Sequence, residues 1–493
     1  MPIESAKELL AELRRIRDEV GIRADEIRKG WEPKLHRDAF WPGAENLADY
    51  LAFRSLDLRP VEAALAPWGL ASLGRCEGRV MPSLRAIIAN LELICRVNAE
   101  TPRPDPADFR RGIDNLARNT QDILGPGSKG RRTHILVTLS PQAAEDKDHV
   151  RELIDAGMDC ARINCAHGAP AEWAAMAGNV KSVGRKRRRD VRVLVDLAGP
   201  KVRTETVITP KKRKRVEPGD KILLTFGKPV GNSEFAYQAS CTAPEVLRQV
   251  SVGADVSIKD GLIRGAIEAV LPEGLVMAVT RTPPRGQSLK AEKGINFPGT
   301  DLIVSPLSED DAEALDFAVQ HADIISYSFV QRPEDIALLQ AEIARRDADR
   351  AHMPIVAKVE TQLAFTNLPE LIVQAAGNNP FAVMIARGDL AVEIGYERLS
   401  EVQEEILWLC EAAHVPVIWA TQVLESIVKQ GMPSRGEFTD AAMAERAECV
   451  MLNKGPYIAE GIRVLDNVLR RMEGHRLKRS TQLRPLKAWQ AVG

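Results

Sequence analysis

Cysteine is scarce: seven are scattered over 493 residues, and no two stand in C-x-x-C spacing. That disfavours a disulfide framework and a zinc ribbon, and points to a reducing, cytoplasmic setting. No charge-free apolar run reaches the roughly 18–20 residues that a membrane-crossing helix needs. The start, Met1-Pro2-Ile3-Glu4-Ser5, lacks both the basic and the apolar region of a secretory leader. Neither sign of charge is in excess. Lys and Arg number 67 against 68 Asp and Glu, which argues against a dedicated nucleic-acid binder but leaves room for a local anion site. A G-x-x-x-x-G-K-[ST] loop is missing too, so a nucleotide is not expected to be held in the Walker manner. What remains is an average globular composition, 45% apolar and 27% charged, and a length that exceeds one folding unit.

Helical periodicity dominates the first quarter. Leu9, Leu10, Leu13, Ile16 and Val20 share one face, and Ser5 with Glu8 three residues on makes a capping box. Further helical patterns at 45–56, 60–66, 81–98 and 107–123 predict a helical N-terminal extension over 1–125, closed by the linker Gly125-Pro126-Gly127-Ser128-Lys129-Gly130. From 131 the texture changes to short Val/Ile/Leu runs alternating with helices. The runs lie at 133–139, 159–165, 192–197, 322–329, 354–359, 382–387, 415–420 and 448–453. Eight β-α units predict an α/β fold, a (β/α)8 TIM barrel. It is interrupted after the third strand by a small inserted β lid domain over 204–294. The barrel parts are then 131–203 and 295–475, and 476–493 forms a basic tail.

In such barrels the C-terminal strand ends carry the chemistry. Here those ends hold Arg162, Asn164, Asp196, Lys358, Glu360, Asp389, Thr421 and Asn453. Glu360 and Asp389, from neighbouring strands, are placed to share one hard divalent cation, which with so few carboxylates suits Mg²⁺. Lys358, two residues before Glu360, faces the same way. With Arg162 it makes an anion clamp of the kind phosphoryl transfer requires. Taken singly, each of these residues also fits a satisfied salt bridge at the barrel mouth.

The local motifs are more specific. They run Ala161-Arg162-Ile163-Asn164-Cys165-Ala166-His167-Gly168, then Asp196-Leu197-Ala198-Gly199-Pro200-Lys201-Val202-Arg203-Thr204, Asp260-Gly261-Leu262-Ile263 and Lys293-Gly294-Ile295-Asn296-Phe297-Pro298-Gly299. Ser328-Phe329-Val330, Lys358-Val359-Glu360, Ala386-Arg387-Gly388-Asp389-Leu390 and Ala420-Thr421-Gln422-Val423-Leu424-Glu425-Ser426 continue the series. In this order over 131–475 they resemble the pyruvate kinase family. The resemblance implies transfer of the phosphoryl group of phosphoenolpyruvate to ADP, giving pyruvate and ATP. It implies Mg²⁺ (or Mn²⁺) on Glu360 and Asp389, and charge stabilisation by Arg162 and Lys358. The substrate carboxylate would lie on the backbone of Gly388 and Asp389, the enolate beside Thr421, and the nucleotide on the side of Asn164, His167 and Arg203. A homo-oligomer is also implied.

Three departures stand out. Ala166 replaces a serine that ligates K⁺ in potassium-dependent members, and Leu197 with Lys201 matches the potassium-independent branch. The Lys201 ammonium is expected to replace K⁺, so that no K⁺ is required. The eighth strand ends Met451-Leu452-Asn453-Lys454-Gly455-Pro456 in place of M-L-S-G-E-T-A. Residues 476–493 are too few for the family's C-terminal effector domain. The altered loop keeps two alternatives open: an enzyme on another phosphorylated or enolic acid, and a non-catalytic regulator that binds phosphoenolpyruvate.

Overall fold

The structure, a computed structural model, describes residues 3–231, 234–304, 307–478 and 480–481. Its centre is a closed barrel of eight parallel strands. In chain order these are β1 (His134–Thr138), β2 (Cys160–Asn164), β3 (Arg192–Asp196), β4 (Ile324–Tyr327), β5 (Ile355–Val359), β6 (Phe381–Ala386), β7 (Val417–Ala420) and β8 (Cys449–Leu452). Each strand pairs with its sequence neighbours, and β1 closes on β8 with His134 opposite Cys449. The α/β barrel expected from the periodicity is therefore present.

The two-residue period of a strand sorts its side chains. Leu136, Cys160, Leu194, Ile324, Val356, Met384, Ile418 and Met451 point inward and make the barrel interior. Their neighbours, among them Ile135, Ala161, Val193, Ile355, Val383 and Trp419, point outward into the layer shared with the helices. Trp419 is fully buried there, so it is core and does not narrow the mouth. Extending the inward parity toward the C-terminal ends gives Arg162, Asn164, Asp196, Ser328, Lys358 and Glu360. The cluster of polar groups is thus the top layer of the barrel's own interior.

Between β3 and β4 the chain builds a seven-stranded sheet with a separate core of Ile222, Leu224, Val256, Ile263, Leu275 and Met277. Its longest hairpin pairs Ile263–Leu271 with Gly274–Arg281. The Val/Ile/Leu runs at 220–225, 254–258 and 275–280 mark three of its strands. The others alternate small and polar residues (Tyr237–Cys241, Ile263–Leu271) and escape a search for apolar runs.

Helices α1 (Ala6–Trp31), α2 (Trp41–Arg54), α3 (Arg59–Leu65), α4 (Val80–Ile94) and α5 (Pro106–Leu124) precede the barrel. The Ser5–Glu8 capping box that starts α1 is formed. The helices dock on the end of the barrel where the strands begin. Buried Asn46 donates to the carbonyls of Glu77 (2.6 Å) and Ala412 (2.8 Å) and accepts from the Val80 N–H (2.9 Å). Backbone meets backbone here: a Cβ on Gly43 would fall 2.4 Å from the Ala413 carbonyl oxygen, and one on Gly112 2.3 Å from that of Gly78. The last residues of α5, Ile123 and Leu124, join the barrel interior cluster, and the Leu124 carbonyl accepts from the Cys160 thiol at 3.3 Å. Helix α5 therefore plugs the base.

The basic run Arg185–Arg189 closes the helix Pro170–Arg187. It is not simply solvated surface, because Arg189 reaches Asp159 at 2.9 Å. In the tail, Arg479, Arg484 and Lys487 lie outside the described residues, whereas Lys478 pairs with Glu448.

Candidate active site

At the barrel mouth, ionic groups from β2, β3 and β5 interlock. Arg162 donates through Nε to Asp196 Oδ2 (2.9 Å) and through a terminal nitrogen to Thr138 Oγ1 (2.9 Å). Lys358 Nζ lies 3.6 Å from Asp196 Oδ2 and 3.1 Å from Glu360 Oε1, and donates to Ser328 Oγ at 2.7 Å. Glu360 Oε2 accepts the Phe329 N–H at 2.6 Å.

Burial works against every one of these charges, so the balance depends on neighbours. For Asp196, burial raises the pKa, but Arg162 and Lys358 outweigh it and hold the carboxyl below its ordinary range. Burial also pulls Lys358 down, and Asp196 and Glu360 more than reverse it. Glu360 is pushed up, first by burial and then by the charge of Asp389, with Lys358 opposing. The Asp389 charge is thus felt at Glu360. Asp389 also receives Lys201: its Oδ1 is 2.5 Å from Nζ, and the ammonium sits 5.6 Å from the Phe329 ring centroid. Gly199, at φ +69°, lets the loop after β3 pack against Ser328, since a Cβ there would meet Ser328 Cβ and carbonyl oxygen at 2.8 Å.

The β6 and β7 ends are tied to each other. Thr421 Oγ1 accepts the Gly388 N–H at 2.9 Å, so that one backbone donor expected for the substrate carboxylate is engaged with Thr421. Thr421, Gln422 and Leu424 all have left-handed backbone, with φ of 65°, 56° and 48°, a conformation that costs L-residues roughly 1–2 kcal/mol each. Arg387 holds the segment. It donates to the Ala420 carbonyl (3.0 Å) and the Thr421 carbonyl (2.5 Å), pairs with Asp440, and lies 4.8 Å above the Trp419 ring.

On the side facing the lid, Asn164 Oδ1 accepts the Ala166 N–H at 3.2 Å. His167 is held below its ordinary pKa by burial, then by Lys454 and Arg203. Arg203 lies where the chain enters the inserted sheet, bridged to Gly294; its N–H donates to Thr242 Oγ1 (3.0 Å) and its carbonyl accepts the Thr242 N–H (2.9 Å). The sequence reading did not single out Ser328, Phe329, Arg387 or Lys454 as individual site residues. The first three stand inside motifs it quoted, and Lys454 stands in the loop noted as altered. Among the described residues no three His, Cys, Asp or Glu side chains group as a metal cage, which leaves Glu360 and Asp389 as the candidate pair.

The pyruvate kinase barrel-domain family matches residues 130–462. The chain belongs to the pyruvate kinase family. It is 31% identical over 350 residues to a pyruvate kinase of Geobacillus stearothermophilus, covering 70% of this chain and 57% of that one. To the pyruvate kinase PKLR of Homo sapiens it is 31% identical over 366 residues, 71% of this chain and 62% of the relative. A pyruvate kinase of Thermotoga maritima is 31% identical over 351 residues, 71% of its own length. The chain thus spans 57–62% of the first two relatives, and the family match leaves the helices α1 to α5 outside it.

Proposed function

We propose that this protein transfers the phosphoryl group of phosphoenolpyruvate to ADP. The observation that carries this reading is the mouth cluster: two carboxylates, Glu360 and Asp389, with the Lys358 ammonium 3.1 Å from the first and the Lys201 ammonium 2.5 Å from the second. Oxygen-only donors from two carboxylates fit Mg²⁺ better than a thiol- or imidazole-seeking metal. Glu360 and Asp389 would hold it, and its chemistry would be to neutralise charge on the phosphoryl oxygens.

The chain's own groups do the rest. Arg162 and Lys358, both beside Asp196, face the charge that develops as the phosphorus–oxygen bond of the enol ester breaks and the bond to the ADP oxygen forms. Thr421 Oγ1 already accepts from Gly388, which leaves its hydrogen free to meet the enolate until a proton is delivered to carbon. His167, Asn164, Arg203 and Lys454 make the nucleotide side, and the lid excludes water from the phosphoryl group. Lys201 supplies in cis the positive charge that a monovalent cation would bring, so that K⁺ is not required.

A coupled assay of pyruvate release from phosphoenolpyruvate and ADP with Mg²⁺, alongside Lys358→Met, tests the reading. Wild-type turnover equal to that of the variant would reject it. One observation favours a different phosphorylated or enolic acid: Asn453-Lys454-Gly455-Pro456 ends β8 and places an ammonium near His167. ATP formation from ADP across a panel of such acids decides between the two.

A further inference from the structure

At the opposite end of the barrel from this cluster lies a cavity of about 660 Å³ between α5, the linker after it and the turn that leads into β8. That size is within the range of small-molecule sites. One wall is apolar: Phe109, Ile113 and Leu116 of α5 line it.

The rest carries charge, six Lys or Arg against four Glu. Several of these cations are already matched. Arg131 is held by Asp159 (2.8 Å) and Asp466 (2.9 Å), Arg132 by Glu473 (3.1 Å), and Lys478 by Glu448. Arg446, 8% exposed, pairs with Glu404. Two others are not matched. Arg79 lies 5.7 Å from the Phe109 ring centroid and makes no ion pair among the described residues. Exposed Arg75, on the same lining, makes none there either.

Two guanidinium groups without an ion pair among the described residues, on one cavity wall beside an aromatic ring, mark a place for an acceptor that is not part of the chain. Guanidinium groups prefer the planar, two-point acceptors of carboxylate and phosphate, and Phe109 with Ile113 and Leu116 suits an apolar or planar body. We propose that this cavity is a binding site for a small organic anion, a phosphate ester or carboxylate carrying an apolar body. The site is remote from the barrel mouth. It touches Thr133 and His134 where β1 starts, Ala447 and Glu448 just before β8, and the helix that plugs the base, so an occupant would tie the N-terminal helices to the barrel.

Phenyl phosphate is the simplest probe, measured by calorimetry on the full chain. The expected result is one saturable site, present in Lys358→Met and unaffected by saturating phosphoenolpyruvate. Arg79→Met should weaken it at least about tenfold. So should Ala117→Trp, which fills the cavity from an exposed position on α5. Inorganic phosphate alone should bind about tenfold more weakly, for want of the ring. No binding, binding displaced by phosphoenolpyruvate, or affinity unchanged in both cavity variants would each overturn the proposal. Because the readout is binding, the result stands apart from whether the barrel mouth has the activity proposed above.

Discussion

Lys201, from the loop after β3, sets its ammonium 2.5 Å from Asp389 Oδ1 at the start of the helix after β6. The two residues are 13% and 20% exposed, so the charge is delivered in a poorly hydrated place where it is felt strongly. The expected consequence is turnover in K⁺-free buffer close to that with K⁺. Activity without K⁺ below about a tenth of that with it would contradict this role. Lys201→Met should lower turnover by about tenfold or more, and added K⁺ should restore part of it.

Lys358 separates Asp196 from Glu360. In Lys358→Met, turnover is expected to fall by about a thousandfold. The loss of a buried partner should also cost about 3 kcal/mol of stability without Mg²⁺. Urea unfolding with and without Mg²⁺ measures the second effect, and added metal should recover part of it by supplying a replacement cation.

Among the described residues Arg387 pairs with neither Glu360 nor Asp389; it ties the Thr421 segment to Asp440. In Arg387→Met the left-handed run from Thr421 loses its anchor. The expected result is a fall in kcat of about tenfold or more with folding retained at a cost of about 2–3 kcal/mol. Circular dichroism melts together with steady-state kinetics check both parts.

The pKa of Glu393 is raised from 4.5 to about 7, chiefly by burial and then by Asp389, against the opposing effects of Asn296 and Lys201. Since the folded form then holds the proton that the unfolded chain releases, this group stabilises the fold fully below about pH 4.5, and the contribution is lost as pH rises toward 7. Glu393→Gln should flatten that part of the stability profile, measured by denaturant unfolding across the window. An unchanged slope would refute the assignment.

Asn46 satisfies three backbone groups at the joint between the N-terminal helices and the barrel. Asn46→Ala leaves them unpaired in a buried place and is expected to cost about 2–3 kcal/mol. Protease susceptibility near Glu77 and Ala412 should rise with it.

Much of this was legible in the sequence because strand parity carries both fold and site. Once β5 is read from Ile355-Val356-Ala357, the positions of Lys358 and Glu360 on the inward face follow from alternation alone. Glu360 and Asp389 follow the ends of adjacent strands because consecutive parallel strands are neighbours. The Thr421–Gly388 bond was not legible, since it depends on a left-handed backbone at three residues that carry no glycine. Nor was the Lys454–His167 proximity, which joins loops from β8 and β2. The lid strands rich in Ser, Ala and Gln gave no apolar run to find. The role of α5 was hidden for a different reason: Ile123 and Leu124 read as ordinary ends of an amphipathic helix, and nothing local says whose interior they enter.

The plug has a practical meaning for anyone wishing to trim this protein. With Ile123 and Leu124 removed, Leu136, Cys160, Val356 and Cys449 would line an uncorked floor open to solvent. The barrel is therefore not a portable cassette, and cutting away the 125 residues before it would leave a leaking, sticky vessel in place of a smaller stable protein.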